Sequence, residues 1–109
     1  MAKLHILTLN WNGLSLLQDL RPSLKAAIEP LKDAVDVTWY VRDNGSTDGS
    51  FEYLESIDDI PTRVFSINHN RDAFATGVNN LWRSAQPEIN TAPASVRANS
   101  RNKEPVSPP

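Results

Sequence analysis

The residues best suited to chemistry in this sequence form one polar run, Asp43-Asn44-Gly45-Ser46-Thr47-Asp48-Gly49. It follows a strand-like segment, so Asp43 stands at a strand's carboxyl end. A carboxylate there can accept hydrogen bonds from a nucleobase imide or a ribose hydroxyl. Gly45 and Gly49 permit a tight turn, and Ser46, Thr47 or Asp48 can cap a following helix. The same residues also read as turn-and-cap chemistry alone. Spacing tests the competing motifs. An EF-hand calcium loop counted from Asp43 needs glycine sixth and glutamate twelfth, where this chain has Asp48 and Leu54. A P-loop needs lysine before its Ser or Thr, and the run has none. A methyltransferase cofactor loop is faintly echoed by Asp43-x-Gly45, but the next glycine is Gly49 and the loop follows the second strand.

Two further loops carry polar groups. Asn10-Trp11-Asn12-Gly13 lacks the Gly-x-Gly-x-x-Gly of a dinucleotide site. Its Trp11 can stack on a base or pack as a core or hinge residue, and Asn12-Gly13 suits a turn and helix start. The third loop, Asn68-His69-Asn70-Arg71-Asp72, offers Arg71, which can pair with a phosphate or stay solvated, and His69, read as an exposed loop residue. Gly77 lies inside a helical pattern, where glycine costs about 1 kcal/mol relative to alanine. It therefore marks a close helix–sheet approach or a nearby ligand.

The elements that must position these loops follow from hydrophobic period. Leu4–Leu9 is a short apolar run, suited to a strand buried on both faces. From Leu14 the spacing turns helical, with Leu17, Leu20, Leu24, Ala27 and Leu31 forming one stripe. Pro22 falls within it and is expected to kink or restart the helix; Pro30 marks its end. Val35–Arg42 alternates as a second strand, with Val37, Trp39 and Val41 on one side. Ser50–Ser56 is a short helix with Phe51 and Leu54 inward. Arg63–Ile67 is a third strand. Asp72–Ala85 is a third helix whose inner face holds Phe74, Val78, Leu81 and Ala85. Strand and helix alternate three times, which predicts an α/β fold with three parallel strands and right-handed crossovers. Ligands in such sheets bind beyond the carboxyl ends of the strands, where all three polar loops lie.

Composition sets the outer limits. The chain has 109 residues, enough for one domain, and a net charge of -2, which favours neither nucleic acid nor an anionic membrane. It has no cysteine, hence no disulfide frame, thiolate zinc site or cysteine nucleophile. Only His5 and His69 are histidines. The N-terminal apolar run is too short for a signal peptide or a membrane span, so a cytoplasmic protein is the expectation. Past Ala85 the composition shifts. Residues 86–109 hold five of the eight prolines and few large apolar side chains. Such a stretch cannot offset its ordering entropy by burial, and it reads as a disordered, proline-rich tail. The expected division is therefore a folded portion, 1–85, and a tail, 86–109.

Together the three loops resemble the start of family-2-type glycosyltransferases with the GT-A fold. The resemblance rests on Leu9-Asn10-Trp11-Asn12-Gly13, Asp43-Asn44-Gly45-Ser46-Thr47-Asp48-Gly49 and Phe74-Ala75-Thr76-Gly77-Val78-Asn79, in that order. It covers roughly Lys3 to Ala85; Ala73 stands where the family usually has glycine. It implies a partial GT-A, Rossmann-like, three-layer fold that binds a nucleotide-sugar donor, often a uridine or thymidine diphosphate sugar. Leu9, Asn10 and Trp11 would line the nucleotide, Asp43 would accept from the base, and Asn44 would sit beside it. The reaction implied is sugar transfer to an acceptor hydroxyl, typically with inversion. It needs a general base and a divalent cation, Mg or Mn, at the diphosphate.

The sequence departs from that family in its second half. The metal-binding Asp-x-Asp should follow the third helix and another strand, yet no aspartate follows Asp72, and Glu88 and Glu104 are the only later carboxylates. Asp58-Asp59 lies at the wrong end of a strand and reads as a solvated turn. The resemblance thus implies an enzyme by descent that carries no metal site or catalytic base of its own and is inactive alone. A truncation or frameshift near Gln86 is the favoured explanation, beside a fragment or a small protein kept for binding. A non-catalytic nucleotide-binding module and a structural, partner-binding α/β domain are the rival readings. An incomplete sheet would also leave an apolar edge exposed, from which self-association is expected. The acceptor and the donor sugar are not specified.

Overall fold

A computed structural model of the protein describes residues 2–91 and 102–103. Strands β1 (Ala2–Asn10), β2 (Val35–Asn44) and β3 (Thr62–Ile67) lie side by side in that order, all parallel. The two-residue strand β4 (Asn102–Lys103) runs parallel to β3 on its far side. Helices α1 (Leu14–Ile28), α2 (Ser50–Glu55) and α3 (Phe74–Thr91) alternate with the first three strands, and a 3-10 turn, Glu29–Leu31, follows α1. The predicted α/β fold with three parallel strands alternating with helices is therefore present.

Alternation along each strand creates two cores. Ile6, Trp39, Val41 and Val64 face α1 and α2 and pack with Leu17, Phe51, Leu54, Ile57 and Ile60. Leu7, Leu9, Tyr40 and Phe65 face the other way, onto Leu81 and Ala85 of α3. The central strand β2 feeds both layers, so its burial is continuous from Val37 to Asn44. β1 is not buried on both faces as its apolar run suggested. Ala2, Lys3 and Leu4 are exposed, and β1 pairs with β2 along one edge only among the described residues.

Two local expectations are corrected. Pro22 does not break α1, which is one helix from Leu14 to Ile28. Pro22 and Gln18, whose carbonyl would otherwise accept the amide that proline lacks, are both exposed, so that carbonyl lies on the solvent side of the helix. The inner face of α1 is also rotated from the leucine stripe. Leu17, Arg21, Leu24 and Ile28 turn inward, whereas Leu20, Ala27 and Leu31 are exposed. Arg21 fits there because its guanidinium lies 5.6 Å from the Tyr53 ring and 3.0 Å from Asp59 Oδ1. Asp58-Asp59 is solvent-exposed, as expected, and it also ties α1 to the α2–β3 connection through Arg21 and Lys25.

Helix α3 runs to Thr91, past the expected boundary at Ala85. Pro87 is exposed, while Ile89 packs on the second core and Glu88 pairs with Arg63 of β3, which carries the helix onward. The rest of the expected tail, 92–101 and 104–109, lies outside the described residues. On the inner face of α3, Leu81 and Ala85 are buried as expected, but Phe74 is 76% exposed.

Candidate functional site

The three polar loops leave the carboxyl ends of β1, β2 and β3 and are joined side chain to side chain. Asn10 and Asp43 are cross-strand partners at the last rung of the β1–β2 ladder. Asn10 Nδ2 donates to Asp43 Oδ1 at 2.9 Å. The Ser46 hydroxyl donates to the same oxygen at 2.7 Å, and the Ser46 amide donates to Asp43 Oδ2 at 3.1 Å. Ser46 Oγ in turn accepts from Asn10 Nδ2 and from the Asn12 amide, at 3.2 and 2.9 Å. Asn12 Oδ1 accepts the Thr47 amide at 2.8 Å. The first two loops are therefore one hydrogen-bonded body.

Asp48 extends that body into the helices. Its Oδ2 accepts the amide of Leu14, the first residue of α1, at 3.0 Å, and its Oδ1 accepts the Ser50 amide at 3.0 Å and the Ser50 hydroxyl. One carboxylate thus serves the amino ends of two helices, where the free amides and the dipole favour negative charge. The hydrogen bond from Ser50, reinforced by the Leu14 amide, holds the Asp48 carboxyl below its ordinary value.

The second and third loops meet at Gly45 and Asn44. Gly45 has φ +73°, and a Cβ on it would lie 3.1 Å from the Asn68 carbonyl carbon, so backbone approach and conformation both select glycine. Asn44 Nδ2 donates to Asn70 Oδ1 at 3.2 Å, while Asn44 Oδ1 is buried with no hydrogen-bond partner. On the same face, Arg42 Nη2 lies 2.8 Å from Asp72 Oδ2, and this hydrogen bond lowers the Asp72 carboxyl. Helix α3 rests directly on this end of the sheet. A Cβ at Gly77 would fall 2.7 Å from Leu9 Cδ1 and 3.2 Å from Arg42 Nη1. Gly77 thus marks a close helix–sheet approach.

The residues singled out from sequence occupy distinct situations. Leu9 lies under α3, and Asn10, Asp43 and Asn44 are buried, Asp43 being 2% exposed. Trp11 projects from the β1 end at 55% exposure, an open aromatic beside a buried polar floor. Asp43 receives three hydrogen bonds from the chain, so of a carboxylate's roughly four acceptor sites about one remains. Arg71 is exposed, and its amide donates to His69 Nδ1 at 3.3 Å. The reach of Asp48 across to α1 was not legible, because the sequence marks a cap only for the helix that follows it. Phe74, at the start of α3, adds a second exposed aromatic at this end.

The carboxylates gathered here are each engaged by groups of the chain. Asp43 is engaged by Asn10 and Ser46, Asp48 by Leu14 and Ser50, and Asp72 by Arg42. Among the described residues no three His, Asp or Glu side chains cluster in a way that could hold a metal ion. No helix among them is long and apolar enough to cross a membrane. No protein-family model, curated protein or solved structure matches the chain.

Proposed function

We propose that the carboxyl-end loops of this sheet bind the nucleotide of a nucleotide-sugar donor, as the donor-binding half of a family-2-type glycosyltransferase. The observation that carries the reading is the presence, at the carboxyl end of the same sheet, of an exposed Trp11 and of a buried acceptor, Asn44 Oδ1, that has no hydrogen-bond partner. A buried acceptor without a partner is costly, by about 1–3 kcal/mol. A nucleobase imide N–H supplies the donor it lacks, and an indole supplies a stacking face for the same planar ring. Leu9 and Asn10 form the wall and floor below, and Asp43 holds Asn10 and Ser46 in place while keeping one acceptor site.

The proposal is of donor binding without turnover by this chain. Sugar transfer needs a base on the acceptor side and charge neutralisation at the diphosphate. The engaged carboxylates here provide neither, so no reaction step is assigned to them. The acceptor, the Asp-x-Asp and its Mg or Mn ion belong to the half that the resemblance leaves uncovered. A cytoplasmic setting, where nucleotide-sugars are made, is part of the same reading.

A structural reading draws on the hydrogen-bonded body of the first two loops, which would stiffen the sheet edge with no ligand present. Fluorescence titration separates the two. Uridine or thymidine diphosphate should quench Trp11 saturably, and Trp11→Ala should weaken binding about tenfold, as expected for loss of one base–aromatic stack. Inorganic diphosphate should not reproduce the quench. A flat titration with folded protein would leave the structural reading in its place.

A further inference from the structure

The free edge of β1 is the feature that the nucleotide reading does not use. Alternate residues of this nine-residue strand direct their backbone N–H and C=O groups away from β2, and no strand receives them among the described residues. Edge strands are commonly guarded by proline, a bulge or a central charge. β1 has no proline, its pairing with β2 is unbroken from Ala2 to Asn10, and its only lysine or carboxylate is Lys3, near one end. Apolar side chains flank the edge on both faces. Leu4 is 40% exposed on the α1 side. Trp82 of α3 is 44% exposed on the other, with its ring 6.2 Å from that of His5 in β1.

We infer that two copies of this chain join through β1, antiparallel about a two-fold axis at Ile6, into one continuous sheet. In this register Lys3 lies opposite Leu9 of the second copy, Leu4 opposite Thr8, and His5 opposite Leu7. Paired positions are both odd or both even, so each core face continues across the seam. The axis is perpendicular to the sheet and keeps both copies of α3 on one face and both copies of α1 on the other. Each copy therefore brings a Trp82 to one side of the seam and a Leu4 to the other, which makes the surface complementary to itself.

Charge selects this pairing over the parallel one. A parallel seam sets Lys3 beside Lys3, and like charges directly opposite are destabilising. The antiparallel seam separates them by six residues, roughly 20 Å, well beyond the Debye length of about 8 Å. An antiparallel two-fold also closes, so the assembly ends at two copies.

Sedimentation equilibrium of the full chain over a range of concentrations tests the inference. The expected result is a monomer–dimer equilibrium without larger species. Leu4→Lys with Trp82→Lys should raise the dissociation constant by at least about tenfold, and Leu16→Lys, on the exposed side of α1, should leave it unchanged. A monomer at every concentration overturns the inference, as does an open series of larger species or a dimer indifferent to the double substitution. Should the double variant fail to fold, hydrogen exchange of the wild-type chain decides. β1 amides must gain protection as concentration rises, and exchange that ignores concentration overturns the seam. Nucleotide is absent from both experiments, so their outcome is separate from that of the donor-binding proposal.

Discussion

Asn10 and Asp43 face each other across the last rung of the β1–β2 ladder, and their side chains close a 2.9 Å hydrogen bond inside the protein. This contact joins the first loop to the second. Through Ser46 it also fixes the turn that brings Gly45 against the third loop. The candidate site is thus shaped mainly by the chain's own polar groups before any ligand arrives.

Removing Asn10 tests that linkage. Asn10→Ala leaves Asp43 buried with one donor fewer, and stability should fall by about 1–3 kcal/mol. Urea denaturation measures it. Asn10→Asp should cost more, since it sets two carboxylates side by side. A midpoint unmoved by Asn10→Ala would show that Ser46 alone satisfies the carboxylate.

Gly77 tests the approach of α3 to the sheet. Alanine is the better helix former by about 1 kcal/mol, so a spacious site would be stabilised by Gly77→Ala. Here the new methyl meets Leu9 Cδ1 at 2.7 Å, with Arg42 Nη1 at 3.2 Å, and we expect net destabilisation. Trimming Leu9 to alanine should relieve part of the clash. The two substitutions should therefore be less harmful together than their sum, by about 0.5 kcal/mol or more in a double-mutant cycle. Strict additivity would mean that the helix simply shifts.

Acid should weaken the fold in two separable windows. Burial, aided by Lys3, lowers the His5 value from its ordinary 6.5. The unfolded chain then binds the proton more readily, so stability is lost as pH falls from 6.5 through the folded value. Asp48 and Asp72 are lowered from 3.8 by hydrogen bonds from Ser50 and Arg42 respectively. Their contribution is complete above 3.8 and is lost as pH falls through the folded values. His5→Gln should flatten the upper window only, and Asp48→Asn with Asp72→Asn should shrink the lower one only, since Asp59 and Glu29, also lowered, still contribute there. Urea midpoints across pH check both, and a variant that flattens the wrong window would contradict the assignment.

The order of elements was legible because apolar period changes cleanly between strand and helix, and because Asn, Asp, Ser and Gly gather in three loops. What the pattern missed has physical causes. Leucine spacing puts the α1 stripe through Leu20 and Ala27, yet Arg21 takes an inward position because Asp59 and Tyr53 hold its charged end while its stem packs. The shift in composition past Ala85 ends the expected α3 there, yet an exposed Pro87 with Glu88 held by Arg63 lets the helix continue. At the site, Asn10, Asp43 and Asn44 were legible as residue types at strand ends. Their partners were not, since Ser46 and Asn10 lie 36 residues apart and Leu14 and Asp48 lie 34 apart.

The most direct test of the donor-binding account is a two-dimensional amide NMR titration of the full chain with uridine and thymidine diphosphates. The account predicts saturable shifts of the Trp11 indole and of the Asn44 side-chain amide, while the Trp39 indole, held by Thr8 Oγ1 at 2.8 Å within the sheet, stays fixed. A well-dispersed spectrum in which neither nucleotide moves Trp11 or Asn44 would contradict it.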